Sequence, residues 1–166
     1  MLGRHRSMAT RQALPVFLIC SVAPAVSCGL GGLQSDQAHV VQREAALSQL
    51  RDLDPDGAMV CIAFAESGQT GRVSDESEGV TWLDPEPPLL VDFNGVSTQV
   101  TGASVCPSDP AHAAAFLLYV YWPQRVRDGA EVTVLRRGAW PWVGPTRVHL
   151  KQDGEGAWRA VGQRPL

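Results

Sequence analysis

Ala114-Ala115-Phe116-Leu117-Leu118-Tyr119-Val120-Tyr121-Trp122-Pro123 is the stretch on which the fold turns. Its apolar run has no polar alternation, so it reads as a strand buried on both faces and therefore central in a sheet. Pro123 ends it, because a central strand cannot lose a ladder N–H. Arg127-Asp128-Gly129 then makes a turn, and residues 130–136 alternate. Val132 and Val134 fall on one face of that segment, Glu131 and Thr133 on the other. Residues 146–151 alternate again, with Val148 and Leu150 inward. Asp153-Gly154-Glu155-Gly156 turns the chain into Trp158-Arg159-Ala160-Val161. Alternating segments joined by short turns predict an antiparallel meander at the C-terminal end.

Upstream, Ala58-Met59-Val60-Cys61-Ile62-Ala63-Phe64-Ala65 predicts another buried strand, and residues 96–106 a further one. Residues 37–52 carry Val40, Ala46, Leu47, Leu50 and, just beyond, Leu53 at helical spacing. Ser35 or Asp36 can cap that helix, and Asp54-Pro55-Asp56-Gly57 stops it. Pro88-Leu89-Leu90-Val91-Asp92-Phe93-Asn94-Gly95 predicts a short second helix. Residues 66–86, rich in Gly, Ser and acids, read as a long exposed loop. The expectation is an α+β fold, an N-terminal helix packed on a mainly antiparallel sheet of about five strands ending in the meander. That order loosely resembles small cystatin-like and NTF2-like α+β domains. The resemblance covers the meander only and implies nothing specific about activity.

The N-terminus reads as an export leader. Arg4, His5, Arg6 and Arg11 precede the apolar residues 13–23, and small residues follow at 24–27. The apolar run is too short to span a bilayer, which needs about 20 residues. Met8 is an alternative start that leaves the leader complete. Ala25-Val26-Ser27-Cys28 resembles a bacterial lipobox, departing from its commonest form at Ala25, where Leu is usual. The resemblance implies cleavage before Cys28, a diacylglyceryl group on its sulfur, and a membrane as partner through that lipid. Gly29 in place of Asp is similar to lipoproteins passed to an outer membrane, so the location implied is its periplasmic face. Ala25 and Ser27 also suit ordinary signal peptidase, so simple secretion is the alternative. The organisation expected is a leader over 1–27, a glycine-rich tether over 28–36 and one domain over 37–166.

Cysteine parity bears on that choice. Cys20 leaves with the leader, and acylation of Cys28 leaves Cys61 and Cys106 to pair in an oxidising compartment. Paired, they close a loop of about 46 residues, worth roughly 4 kcal/mol in the chain-entropy account.

The part after the leader holds 11 basic and 17 acidic residues, a formal charge of −6, which argues against nucleic acid as a partner. The acids of residues 74–78 lack the spacing of a calcium loop. His39, His112 and His149 are far apart with no zinc-site spacing, so no metal and no cofactor are expected. Ser108, Asp109 and His112 lie close in sequence but lack the turn of a serine hydrolase. Of the five tryptophans, Trp82, Trp140 and Trp142 fall in expected loops, and Trp140-Pro141-Trp142 is the first candidate for a contact surface. The function expected is a lipid-anchored, non-catalytic module that contacts an envelope protein or a glycan. The alternative is a small periplasmic hydrolase with its site in the concavity of the sheet.

Overall fold

The computed structural model describes residues 32–51, 53, 59–70, 79–96, 99–106, 115–138 and 144–166. Helix α1 spans Ser35–Arg51, and strand β1 spans Val60–Ala65. The two-residue strand β2 (Trp82–Leu83), helix α2 (Pro87–Asn94) and strand β3 (Val100–Gly102) follow. After a 3-10 turn at Ala103–Val105 come β4 (Phe116–Val120), β5 (Gln124–Val126), β6 (Gly129–Gly138), β7 (Gly144–Gln152) and β8 (Trp158–Pro165). The class is α+β, with a mostly antiparallel sheet ordered β2-β1-β4-β6-β7-β8, β3 pairing with β1 and β5 with β6.

Among the described residues the sheet holds eight strands, not about five. The additional ones are two or three residues long, too short to carry a period. β2 lies inside the stretch expected to be a loop, and among the described residues of the expected strand at 96–106 Val100–Gly102 form β3 while Ala103–Val105 form the 3-10 turn. β4 is central as expected, antiparallel to β6 but parallel to β1, yet it is not buried on both faces: Leu118 and Val120 are buried toward α1, while Leu117 and Tyr119 on the other face are partly exposed. β1 is buried along its whole length. From β4 through β6, β7 and β8 the chain is the expected meander.

Helix α1 lies across one face of this sheet. Its buried side includes Val41, Ala45, Leu47 and Leu50, packed with Ile62, Leu118, Val132, Val134, Val148 and Leu150 from the strands. Leu50, Ile62, Leu118 and Leu150 are fully buried, and burying such a side chain contributes about 1.5–3 kcal/mol. Val40, placed on the apolar stripe by its spacing, is instead 44% exposed, and Gln42 and Gln49 occupy the buried face. Each glutamine is satisfied there. Gln42 Nε2 donates to the carbonyl oxygens of Ala65, Val120 and Tyr121 where β1 and β4 end. Gln49 Nε2 donates to Gln163 Oε1 at 3.0 Å, and its Oε1 accepts from buried Arg136. The two amides thus pin α1 at both ends of its track over the sheet.

Helix α2 closes the flank. Phe93, fully buried, stacks on Phe64 at 6.2 Å. Asn94 accepts from the Val100 N–H at 2.7 Å and donates to the Val100 carbonyl at 3.2 Å, standing in for a strand neighbour of β3. Arg43 of α1 donates twice to Asp92 of α2. On the opposite face of β1, Cys61 is disulfide-bonded to Cys106, with Cα atoms 6.0 Å apart. The bond ties β1 to the segment that follows β3.

Candidate functional site

A partly enclosed hollow lies where β1 ends, between the N-terminal half of α1 and the β2–α2 flank. Its volume is about 260 Å³. Phe64, Ala65, Pro85 and Trp122, all buried, form the floor, with Leu83 and Leu89 at the side. The rim is polar, with His39 from α1, Glu66 and Ser67 from the turn after β1, and Glu86 just before α2. Drug-sized ligands sit in pockets of about 300–1,000 Å³, so this one suits one or two inserted side chains better than a whole small molecule.

Local structure explains why these groups meet. Trp122 ends the apolar run of β4, and its N–H donates to the Gln69 carbonyl at 3.0 Å. Gln69 also takes the Thr81 N–H on its side-chain oxygen at 2.8 Å, which holds β2 against β1. His39 stands edge-on to the Trp122 ring at 5.3 Å. Glu86, in extended conformation, and Pro87 begin α2, and Glu86 and Leu89 line the same opening.

Two polar groups of the lining are already engaged by the fold. Gln42 is held by three carbonyl oxygens. Asp84 accepts from the Ser104 N–H at 3.0 Å and from the Ser104 hydroxyl. That hydroxyl, followed by the Ser104 and Ala103 N–H groups, holds the Asp84 carboxyl below its ordinary pKa against the opposing effect of desolvation. Gly102 makes the contact feasible, since a Cβ there would lie 2.4 Å from the Asp84 carboxyl carbon. What faces the opening is therefore apolar floor and a rim of Glu66, Glu86, Ser67 and His39.

The residues singled out in the sequence are distributed differently. Cys61 and Cys106 are bonded, as parity suggested. Trp82 is not in a loop but on edge strand β2, packed edge-on against Tyr119 at 4.9 Å and Tyr121 at 5.0 Å. Trp122 and Trp158 are buried. Cys28, Ser108, Asp109, His112, Trp140 and Trp142 lie outside the described residues, as do the acids of 74–78 and the turn at 54–57. His149 is on the sheet face away from α1, 3.7 Å from Asp128 and 3.9 Å from Glu131. It does not meet His39, which sits at the other end of the molecule's strand order. Among the described residues no group of three His, Cys, Asp or Glu side chains is arranged to hold a metal ion. None of the described helices is long and apolar enough to cross a membrane. The cleft itself escaped sequence reasoning because its walls come from four separate elements. The one usable signal was Leu83, an apolar residue among acids and prolines.

No family model, no curated protein and no solved structure matches this chain.

Proposed function

We propose that this chain is an exported, lipid-anchored envelope protein whose domain binds another envelope protein through the cleft between α1 and the β2–α2 flank. The observation that carries the reading is the state of the cleft's polar groups. Gln42 and Asp84 serve the fold, and the surface offered outward is an apolar floor bordered by Glu66 and Glu86. Such a surface takes an apolar anchor side chain next to a cation, the common composition of a protein contact centre. Leu83, 49% exposed at the lip, adds to the apolar area. Export is supported by the leader's charge and apolar pattern and by the Cys61–Cys106 disulfide, a bond of oxidising compartments. Cys28 acylation and the short glycine-rich tether would hold the cleft close to the membrane surface.

The test is site-specific photocrosslinking of the full chain in its host, with the crosslinker at Leu83 and, as a control, at Val91 on the outer side of α2. The expected result is a discrete protein adduct from position 83 that disappears with Glu66→Lys and Glu86→Lys together. Adducts of equal pattern from both positions, or none from position 83, would overturn the cleft as the contact. Mass spectrometry of the mature N-terminus tests the anchor separately, with a diacylglyceryl group on Cys28 expected.

A further inference from the structure

The second unexplained feature lies on the sheet face turned away from α1. β7 and β8 pair so that Arg147 stands opposite Arg164 and Lys151 opposite Arg159. Like charges directly opposite across a ladder are destabilising. The outer pair is resolved locally, since Lys151 meets Asp128 at 2.8 Å and Arg159 meets Asp153 at 3.4 Å. Arg147 and Arg164 have no carboxylate each. They share Glu131 of β6, at 3.6 Å from Arg147 Nε and 3.8 Å from the Arg164 guanidinium. Those separations are ionic contacts beyond hydrogen-bond reach, so the guanidinium donors are left to other partners.

Between the two like-charged pairs, His149 faces Gly162. A Cβ on Gly162 would meet nothing within 4 Å, so the row Glu131–His149–Gly162 ends in open space. The result is a hollow of about 300 Å³ bordered by Glu131, Arg147, His149, Gly162 and Arg164. The charge along the chain is biased the same way. Of the 11 basic residues after the leader, eight lie in residues 107–166, together with only five of the 17 acids. That part of the sequence is therefore positive within a chain that is acidic as a whole, and of its cations Arg147, Lys151, Arg159 and Arg164 stand on this face.

We infer that the hollow beside Gly162 is a binding site for a phosphate group, held by the paired guanidinium forks of Arg147 and Arg164 with His149 as a third donor. Arginine forks match the oxygen spacing of phosphate and can each donate two parallel hydrogen bonds. The same chemistry is offered by a free phosphorylated small molecule and by a phospholipid headgroup. The site stands on the described strands alone and does not depend on the cleft or on Cys28.

The test is an amide NMR titration of the full chain in detergent micelles, at constant ionic strength with chloride as the reference anion. Inorganic phosphate is expected to shift the signals of Arg147, His149, Gly162 and Arg164 in a saturable way. Arg147→Gln with Arg164→Gln should weaken that response by about tenfold or more while leaving the urea midpoint in place. Glu131→Gln should strengthen it, because it removes the competing carboxylate. A purely structural role for the cluster predicts no such gain. Co-sedimentation of the unacylated Cys28→Ser chain with phosphatidylglycerol and phosphatidylcholine vesicles separates the sources. Retention by lipid that glycerol phosphate cannot compete assigns a headgroup in the bilayer, and full competition assigns a soluble phosphate ester. No saturable shift, a shift equal to that of chloride, an unchanged response in the double variant, or weaker binding by Glu131→Gln would overturn the site.

Discussion

The two faces of the β6–β7–β8 meander share one backbone and differ in almost everything else. Toward α1 stand Val132, Val134, Val148 and Leu150, each at most 1% exposed. Away from α1 stand Glu131, Arg147, His149, Lys151 and Arg164, partly hydrated and joined by contacts mostly longer than 3.5 Å. Strand alternation puts these sets on consecutive residues, so a shift of one position exchanges them completely. The inner set is fixed by burial. The outer set contributes little to stability, since exposed ion pairs are worth about 0–1 kcal/mol. Residues that stability does not require are free to answer to a ligand.

The disulfide sharpens this contrast, because it lies on the outer side of the sheet yet belongs to the fold. Cys61 is fully buried, and its bond closes a separation of 45 residues. Replacing both cysteines by alanine is expected to lower the unfolding free energy by about 4 kcal/mol, read as a fall in the urea midpoint. A change below about 1 kcal/mol would mean that the outer side of β1 carries no structural duty.

Gln42 tests the inner side in the opposite sense, as a polar residue that the core requires. Gln42→Leu removes the donor shared by three carbonyl oxygens and should cost about 1–3 kcal/mol. A neutral result in thermal or urea unfolding would show that those carbonyls find water without it.

The smallest expected effect is on the acid side. Asp128 is held below the ordinary carboxylate pKa chiefly by its hydrogen bond from Lys151, and Asp153 chiefly by the Ala157 N–H. Asp84 is lowered likewise, by Ser104. A carboxylate depressed in the folded state stabilises it above the unfolded pKa and loses that contribution as pH falls through the folded one. The urea midpoint should therefore stay level from neutral pH to about 5 and decline only below about 4. A decline beginning near neutrality would point to a group other than these three.

How far the sequence could be read depended on the length of the signal. The long apolar run of β4, the alternation of β6 and β7 and the spacing along α1 were legible because many residues repeat one message. β2 and β5 were not, because two or three residues carry no period and are extended only where a neighbour pairs with them, and β3 was legible as a strand but not in its length. The buried polar residues were hidden for a different reason. Gln42 and Gln49 are inward because carbonyl ends and the side chains of Gln163 and Arg136 satisfy them, a fact of geometry with no trace in hydropathy. The candidate sites were harder still. Arg147 opposes Arg164 only because the β7–β8 register shifts between His149 and Leu150. The cleft is assembled from α1, β1, the β2 flank and the end of β4.

The claim that consecutive residues of one strand serve separate purposes is tested most directly at His149 and Leu150. Urea unfolding of Leu150→Ala should show a loss of about 2–5 kcal/mol, since a fully buried side chain leaves a cavity. His149→Ala should stay within about 0.5 kcal/mol of the parent. Equal losses from the two substitutions would contradict the account, because the outer face would then be as much a part of the core as the inner one.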